Sequence, residues 1–146
     1  VLTRARASAE SGAMLGKGGN IDKISENLYK RRVMWMEDKF KALGNESRLL
    51  MYRVLREEPF CVCEMNELLD MSQSAVSQHL SKLKKAGLVE TERRAQWIFY
   101  RPVDDPFGEG IADLLDPLSN GLLKKIKTIK NENLCDIRDE QGNLPE

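Results

Sequence analysis

Three cysteines and one run of hydroxyl, amide and ammonium side chains are the residues of this chain whose types and spacing point to chemistry. Cys61 and Cys63 stand one residue apart in the stretch Phe60-Cys61-Val62-Cys63, and Cys135 lies far downstream. Thiolates are soft ligands, so neighbouring thiols select thiophilic ions over magnesium or calcium. The spacing sets a geometric condition. Residues two apart in a regular helix point about 200° from one another, so the two sulfurs converge on one ion only if the backbone at Cys61 is not yet helical. Pro59 just upstream favours that arrangement, and the start of a helix favours the thiolate. As packed small hydrophobes the two would face opposite sides, which accounts for one and not the other. Cys135 is the third donor by count, from its own chain or a partner's, or else a bystander in the tail.

The second group lies immediately downstream. From Ser72 to Gly87 the pattern predicts a capped helix in which Val76, Leu80 and Leu83 form one apolar stripe at i, i+4 and i+7. Ser74, Ser77, Gln78, Ser81, Lys82 and Lys85 then share the opposite face. Serine and glutamine can donate to and accept from base edges in a major groove, and lysine neutralises phosphates at its rim. The plain alternative is a solvated face. Between Ser72 and Arg101 six basic residues stand against two acidic ones, a local excess that the whole chain lacks, with 23 Lys and Arg against 23 Asp and Glu. The candidate DNA contacts are Ser74, Ser77 and Gln78 for base edges and Lys82, Lys85, Arg93 and Arg94 for phosphates, with Gln73 and Ser81 beside them.

The surrounding elements must position these groups. A long first helix is predicted over Ile21–Leu43, stopped by Gly44, with Asn45 capping a second that breaks at Glu57–Pro59. Val62, Met65, Leu68 and Leu69 suit a short third helix, and its short turn into the fourth makes a helix-turn-helix. Leu88–Arg94 and Trp97–Arg101 alternate as two strands whose tip holds Arg93, Arg94, Ala95 and Gln96. The fold class is therefore mainly α with a small β-hairpin wing, a winged helix-turn-helix. Asp104, Asp105 and Pro106 open a last helical region, split at Pro117 after Asp116, with an apolar stripe of Phe107, Ile111, Leu114, Leu118, Leu122, Ile126 and Ile129. That stripe and the first helix are the expected dimer surface, since two-fold symmetry matches palindromic sites; packing within the chain is the alternative. Residues 1–20 read as a tail, 21–130 as the DNA-binding and dimerisation domain, and 131–146 as an acidic tail.

Three cysteines do not make a disulfide framework, and no signal peptide or membrane-length apolar run is evident, so cytoplasm is the expected compartment and no membrane partner is expected. The single histidine, His79, falls at the edge of the stripe, as a packing or phosphate-contacting residue.

Taken together, KALGNESRLLMYRVL, CVCEMNELL, SQSAVSQHLSKLKKAGLV and RRAQWIFYR resemble the ArsR/SmtB family of metal-responsive repressors over about Phe40 to Val103. The resemblance implies a homodimer that binds double-stranded operator DNA and lets go when an ion binds. Cys-Val-Cys at the third helix is similar to the arsenite and antimonite box of the ArsR branch, which implies Cys61 and Cys63 as the metalloid site, with Cys135 a third ligand by count alone. Trivalent arsenic or antimony is the implied inducer, and no cofactor is required for folding. The position where that box commonly holds a third cysteine is Asn66 here. A thiol redox or persulfide sensor of the same fold, a cadmium or lead sensor, a dithiol enzyme and a winged helix used for protein contact are the alternatives; Cys-x-Cys spacing with no catalytic constellation speaks against the enzyme.

Overall fold

Asn45, Cys61, Ser72, Asp105 and Ser119 each end a non-helical stretch and begin a helix, and these five caps set five of the six helix starts among the described residues. Their side chains accept from the backbone N–H groups of Arg48, Glu64, Ala75, Gly108 and Leu122, donors that a helix start leaves without intrahelical partners. The computed structural model describes residues 19–134. The elements are α1 (Gly19–Leu43), α2 (Glu46–Leu55), β1 (Phe60–Cys61), α3 (Val62–Leu69), α4 (Gln73–Lys85), β2 (Val89–Arg94), β3 (Trp97–Pro102), α5 (Pro106–Ala112) and α6 (Asn120–Glu132). No helix among the described residues is long and apolar enough to cross a membrane.

Contacts divide the chain into a unit ending at Met36 and a unit starting at Glu37. In the first, α1 carries a Glu26–Lys30 ion pair at 2.7 Å and exposes Ile24, Leu28, Tyr29, Met34 and Trp35. In the second, Met51, Tyr52 and Val54 of α2, Phe60, Met65 of α3, and Val76, Leu80 and Leu83 of α4 are fully buried in one core. The α4 stripe is thus the one expected from its spacing. The helix closes through bonds from Leu88 N–H to Leu83 O and from Gly87 N–H to Lys84 O, both 3.0 Å. Gly87 supplies the positive φ of 73° that this closure needs.

Two features depart from expectation. A third strand, β1, pairs antiparallel with β3, giving the sheet order β1-β3-β2 with Phe60 opposite Tyr100 and Cys61 opposite Phe99. Two residues are too few for any alternation to show in a sequence. The last helical region is also broken earlier and more widely than a single kink at Pro117 would make it: α5 ends at Ala112 and α6 starts at Asn120. Phe107, Ile126 and Ile129, expected on a partner surface, are buried in the chain's own core, with Ile111, Leu118 and Leu122 packed against it. Leu114 stays exposed. The structure carries α6 two residues past Lys130, into the stretch expected to be tail.

One charged residue is buried within this core. Lys39 is 1% exposed, and its Nζ donates to Gly87 O at 2.8 Å and to Asp105 Oδ2 at 2.7 Å while lying 5.3 Å from the Phe107 ring centroid. It joins α1, the end of α4 and the start of α5. Burial pushes the Asp105 carboxyl up, but hydrogen bonds from Lys39 and the Gly108 N–H, with the charges of Lys39 and Arg56, outweigh it and hold the group below its ordinary 3.8. A depressed carboxylate stabilises the fold above its unfolded pKa and loses that contribution as pH falls through its folded value. Asp105→Asn is expected to cost about 2 kcal/mol of stability near neutral pH, a gap that narrows below about pH 4. Denaturant unfolding across this range checks it; a gap unchanged in acid would assign the loss to packing and not to charge.

Candidate nucleic-acid interface and thiol pair

The turn between α3 and α4 aims the polar face. Asp70 takes the left-handed conformation at φ 52° and ψ 48°, which an aspartate tolerates better than most side chains. Asn66 O accepts from the N–H groups of Asp70 and Met71, which closes α3. Ser72 then caps α4 through Ala75 N–H at 3.2 Å. Gln73, Ser74, Ser77, Gln78, Ser81, Lys82 and Lys85 are all exposed, so every α4 residue expected to meet DNA shares the solvent side. Ser77, Gln78, Ser81, Lys82 and Lys85 line one shallow depression. Lys82 and Lys85 also line a second with Lys41 and Arg48. His79 is half-buried, and its Nδ1 has no hydrogen-bond partner among the described residues. Burial, with Arg48 and Lys82 nearby, holds its imidazole below the usual histidine range.

The wing is less basic in effect than its composition. Arg94 pairs with Glu92 at 3.1 Å and stacks 5.0 Å from the Phe99 ring centroid, and Arg101 pairs with Glu90 at 2.6 Å. Lys84 donates to Thr91 at 3.1 Å, which ties α4 to the wing. Arg93 differs: its Nε donates to Ala95 O at 3.1 Å across the tip, where Ala95 sits at φ 53°, and no carboxylate pairs with it among the described residues. Of the two tip arginines, Arg93 keeps its charge uncompensated.

The thiols meet. Cys61 is extended, at φ −85° and ψ 170°, because it belongs to β1 and is the N-cap of α3, not its first turn. Its Sγ lies 2.7 Å from that of Cys63. The condition read from the spacing, a non-helical backbone at Cys61, is the one found. Both cysteines pack with Phe99 and Trp97 of β3, so the pair sits on the seam between wing and helix-turn-helix. Trp97 Nε1 is buried there without a hydrogen-bond partner among the described residues. Cys135 lies outside the described residues. Among those described, no group of three or more His, Cys, Asp or Glu is placed to hold a metal ion.

Two further residues of this site escape sequence reasoning. Glu64 and Cys61 form a reciprocal capping box: Glu64 N–H donates to Cys61 Sγ at 3.5 Å, and Cys61 N–H donates to Glu64 Oε2 at 3.1 Å. The Cys-x-x-Glu spacing carries that signal, with sulfur in the place where a hydroxyl is usual. The other residue is Lys130 of α6, whose Nζ reaches Glu64 Oε2 at 2.8 Å. Sixty-six positions separate them, and no local pattern could connect the two.

Comparison with known proteins agrees with the winged helix-turn-helix fold. Residues 45–91 match the family described as bacterial regulatory protein, arsR family. The chain is 35% identical over 107 residues to the arsenical resistance operon repressor of Bacillus subtilis, covering 73% of this chain and 84% of that protein. It is 35% identical over 74 residues to the arsenic resistance transcriptional regulator ArsR1 of Pseudomonas putida, covering 50% of this chain and 58% of that one. Among solved structures it is similar to a homodimeric winged helix-turn-helix DNA-binding domain from Mycobacterium bovis, with a TM-score of 0.51, 25% identity, and coverage of 72% and 86%. Such regulators are not enzymes.

Arg93→Ala is expected to weaken binding to all duplexes about equally and to lower the slope of log affinity against log salt by about 1. Gln78→Ala is expected to shrink the gap between preferred and unrelated sequences by about 1–3 kcal/mol. Salt titrations on both kinds of duplex read these effects, and an equal loss on every sequence for Gln78 would move it to the phosphate contacts.

Proposed function

Because this chain belongs to the arsR family of bacterial regulatory proteins, to which it is joined by its likeness to an arsenical resistance operon repressor, we propose that it is a homodimeric repressor released from its operator when trivalent arsenic or antimony binds Cys61 and Cys63. The observation that supports this most is the convergence of the two sulfurs at the seam between α3 and the wing. Arsenic and antimony in this state are thiophilic, and two adjacent thiolates favour them by softness. Cys135 is the proposed third ligand, from its own chain or its partner's.

The residues then divide the work. Ser74, Ser77 and Gln78, flanked by Gln73 and Ser81, face the bases; Lys82, Lys85 and Arg93 face phosphates, and Arg94 contributes from within its Glu92 pair. Cys61 pairs in the sheet with Phe99 of the wing, and Cys63 lies in the first turn of α3, the helix that leads into the reading helix. An ion held by both sulfurs has to move them from their present 2.7 Å separation, and so shifts both supports of the DNA surface. Linkage requires DNA to weaken ion binding by the same factor. Self-association would use the first and last helices, and α1 exposes apolar side chains suited to it.

The closeness of the sulfurs also supports a second reading, a redox sensor. There an oxidant such as a peroxide takes two electrons and two protons from the thiols and leaves a Cys61–Cys63 disulfide. Intact mass separates the two, since oxidation removes two hydrogens and ion binding adds the ion.

Arsenite is expected to weaken DNA binding by about tenfold or more in the wild type, and by less than about twofold in Cys61→Ser or Cys63→Ser, read by fluorescence anisotropy of labelled DNA. In a Trp35→Phe background the emission of Trp97, beside the thiols, is expected to change on arsenite binding. Release that persists in both serine variants removes the sensing assignment.

A further inference from the structure

Lys130 lies on α6, yet it holds the thiol segment from both sides. Its ammonium donates to the carbonyl of Pro59, two residues before Cys61, and to Glu64 Oε2, one residue after Cys63. Between these it lies 4.0 Å from the Phe60 ring centroid and 5.7 Å from that of Phe99. Glu64 in turn is the reciprocal partner of Cys61 through two bonds, N–H to sulfur and carboxylate to N–H. The sulfur of Cys61 therefore both caps α3 and forms half of the thiol pair. When that sulfur turns toward an ion, it leaves the Glu64 N–H. Any rotation of the Cys61 peptide takes its N–H off the carboxylate whose other partner is Lys130.

We propose that Lys130 is the positioning residue that couples the state of the Cys61–Cys63 pair to α6. The inference rests on the functional reading above. Burial is what lets the contact transmit. The side chains of Glu64 and Lys130 are 6% and 20% exposed, against 62% and 65% for Glu26 and Lys30 on α1. Solvent and salt screen the exposed pair, so rearranging it is nearly without consequence, whereas the enclosed pair must find a new arrangement with its helix. Lys130 is in the last turn of α6, five residues before Cys135 in the sequence. The thiol segment and α6 thus share one anchor.

The test uses the full chain, arsenite as the ion, and a duplex enriched by the wild-type protein from a random-sequence pool. Lys130→Met keeps the aliphatic stem over Phe60 and removes the ammonium, Lys130→Arg restores a cation, and Lys127→Met alters an exposed lysine on the same helix. The expected result has three parts. In Lys130→Met, arsenite still binds with wild-type stoichiometry, affinity for the duplex without arsenite stays within about threefold, and the arsenite-induced loss of affinity falls from about tenfold or more to about threefold or less. Lys130→Arg and Lys127→Met keep the wild-type response. Hydrogen exchange along α6 is expected to change with arsenite in the wild type and not in Lys130→Met. A Lys130→Met protein that folds and responds like the wild type overturns the coupling role while leaving the sensing function intact. A wild-type protein whose DNA affinity ignores arsenite overturns the functional reading and this inference with it. If circular dichroism shows Lys130→Met to be unfolded, Glu64→Gln takes its place in the same comparison, because it keeps an oxygen for Cys61 N–H but loses the charge. A blunted arsenite response in Glu64→Gln then supports the coupling, and a wild-type response overturns it.

Discussion

A lysine with its ammonium out of water is costly unless its charge and all its donors are satisfied, and the Glu37–Leu134 part of this structure is arranged around meeting that demand at Lys39. Its partners are a carboxylate, a backbone carbonyl and an aromatic face, and each belongs to a different part of the fold. Asp105 must be at the N-cap of α5 to reach it, and Gly87 must turn the chain after α4 to present its carbonyl. The end of α1, the end of the reading helix and the start of α5 are thereby tied to one point. Where α4 points is decided by that junction as much as by the α4 stripe, since the stripe buries the helix but does not choose its tilt.

The thiol pair depends on a comparable local conflict. Cys61 is asked to be a strand residue, pairing with Phe99, and the cap of a helix that starts one residue later. Both demands need extended backbone, and extended backbone is what swings its sulfur toward Cys63. The same short stretch therefore produces the third strand, the capping box and the convergence of the sulfurs. An ordinary serine cap would satisfy the helix equally well; sulfur at this position is what the proposed sensing requires.

Charge on the side proposed to face DNA is distributed with similar economy. The wing carries Arg93, Arg94 and Arg101, but Glu90 and Glu92 neutralise two of the three, and Lys84 is occupied with Thr91. The positive charge left without a carboxylate partner among the described residues includes Lys82 and Lys85 at the end of α4 and Arg93 at the tip, the residues proposed to meet phosphates. A chain with no net charge can hold such a surface because its acids lie elsewhere or are already paired.

The helix-turn-helix, the wing and the face that α4 presents were legible in the sequence because each is written in local patterns. Val76, Leu80 and Leu83 repeat with the helical period, Asn45 and Ser72 cap α2 and α4, and the Trp97–Arg101 alternation names a strand. The condition for the thiols to converge was legible for the same reason, from the helical angle between residues two apart and Pro59 upstream. What the sequence could not decide is what depends on partners distant along the chain. Whether Phe107, Ile126 and Ile129 face their own core or another molecule has the same periodicity either way, and only the position of α3 and α6 in space selects the core. The two residues of β1 exist as a strand because β3 offers them a partner. Lys39 and Asp105, and Lys130 and Glu64, are both 66 positions apart, and a lysine in a helix reads as solvated until the fold closes over it. Local spacing determined the elements and the reading face; tertiary burial, which alone fixes the cost of leaving a charge unpaired, decided which lysines hold the molecule together.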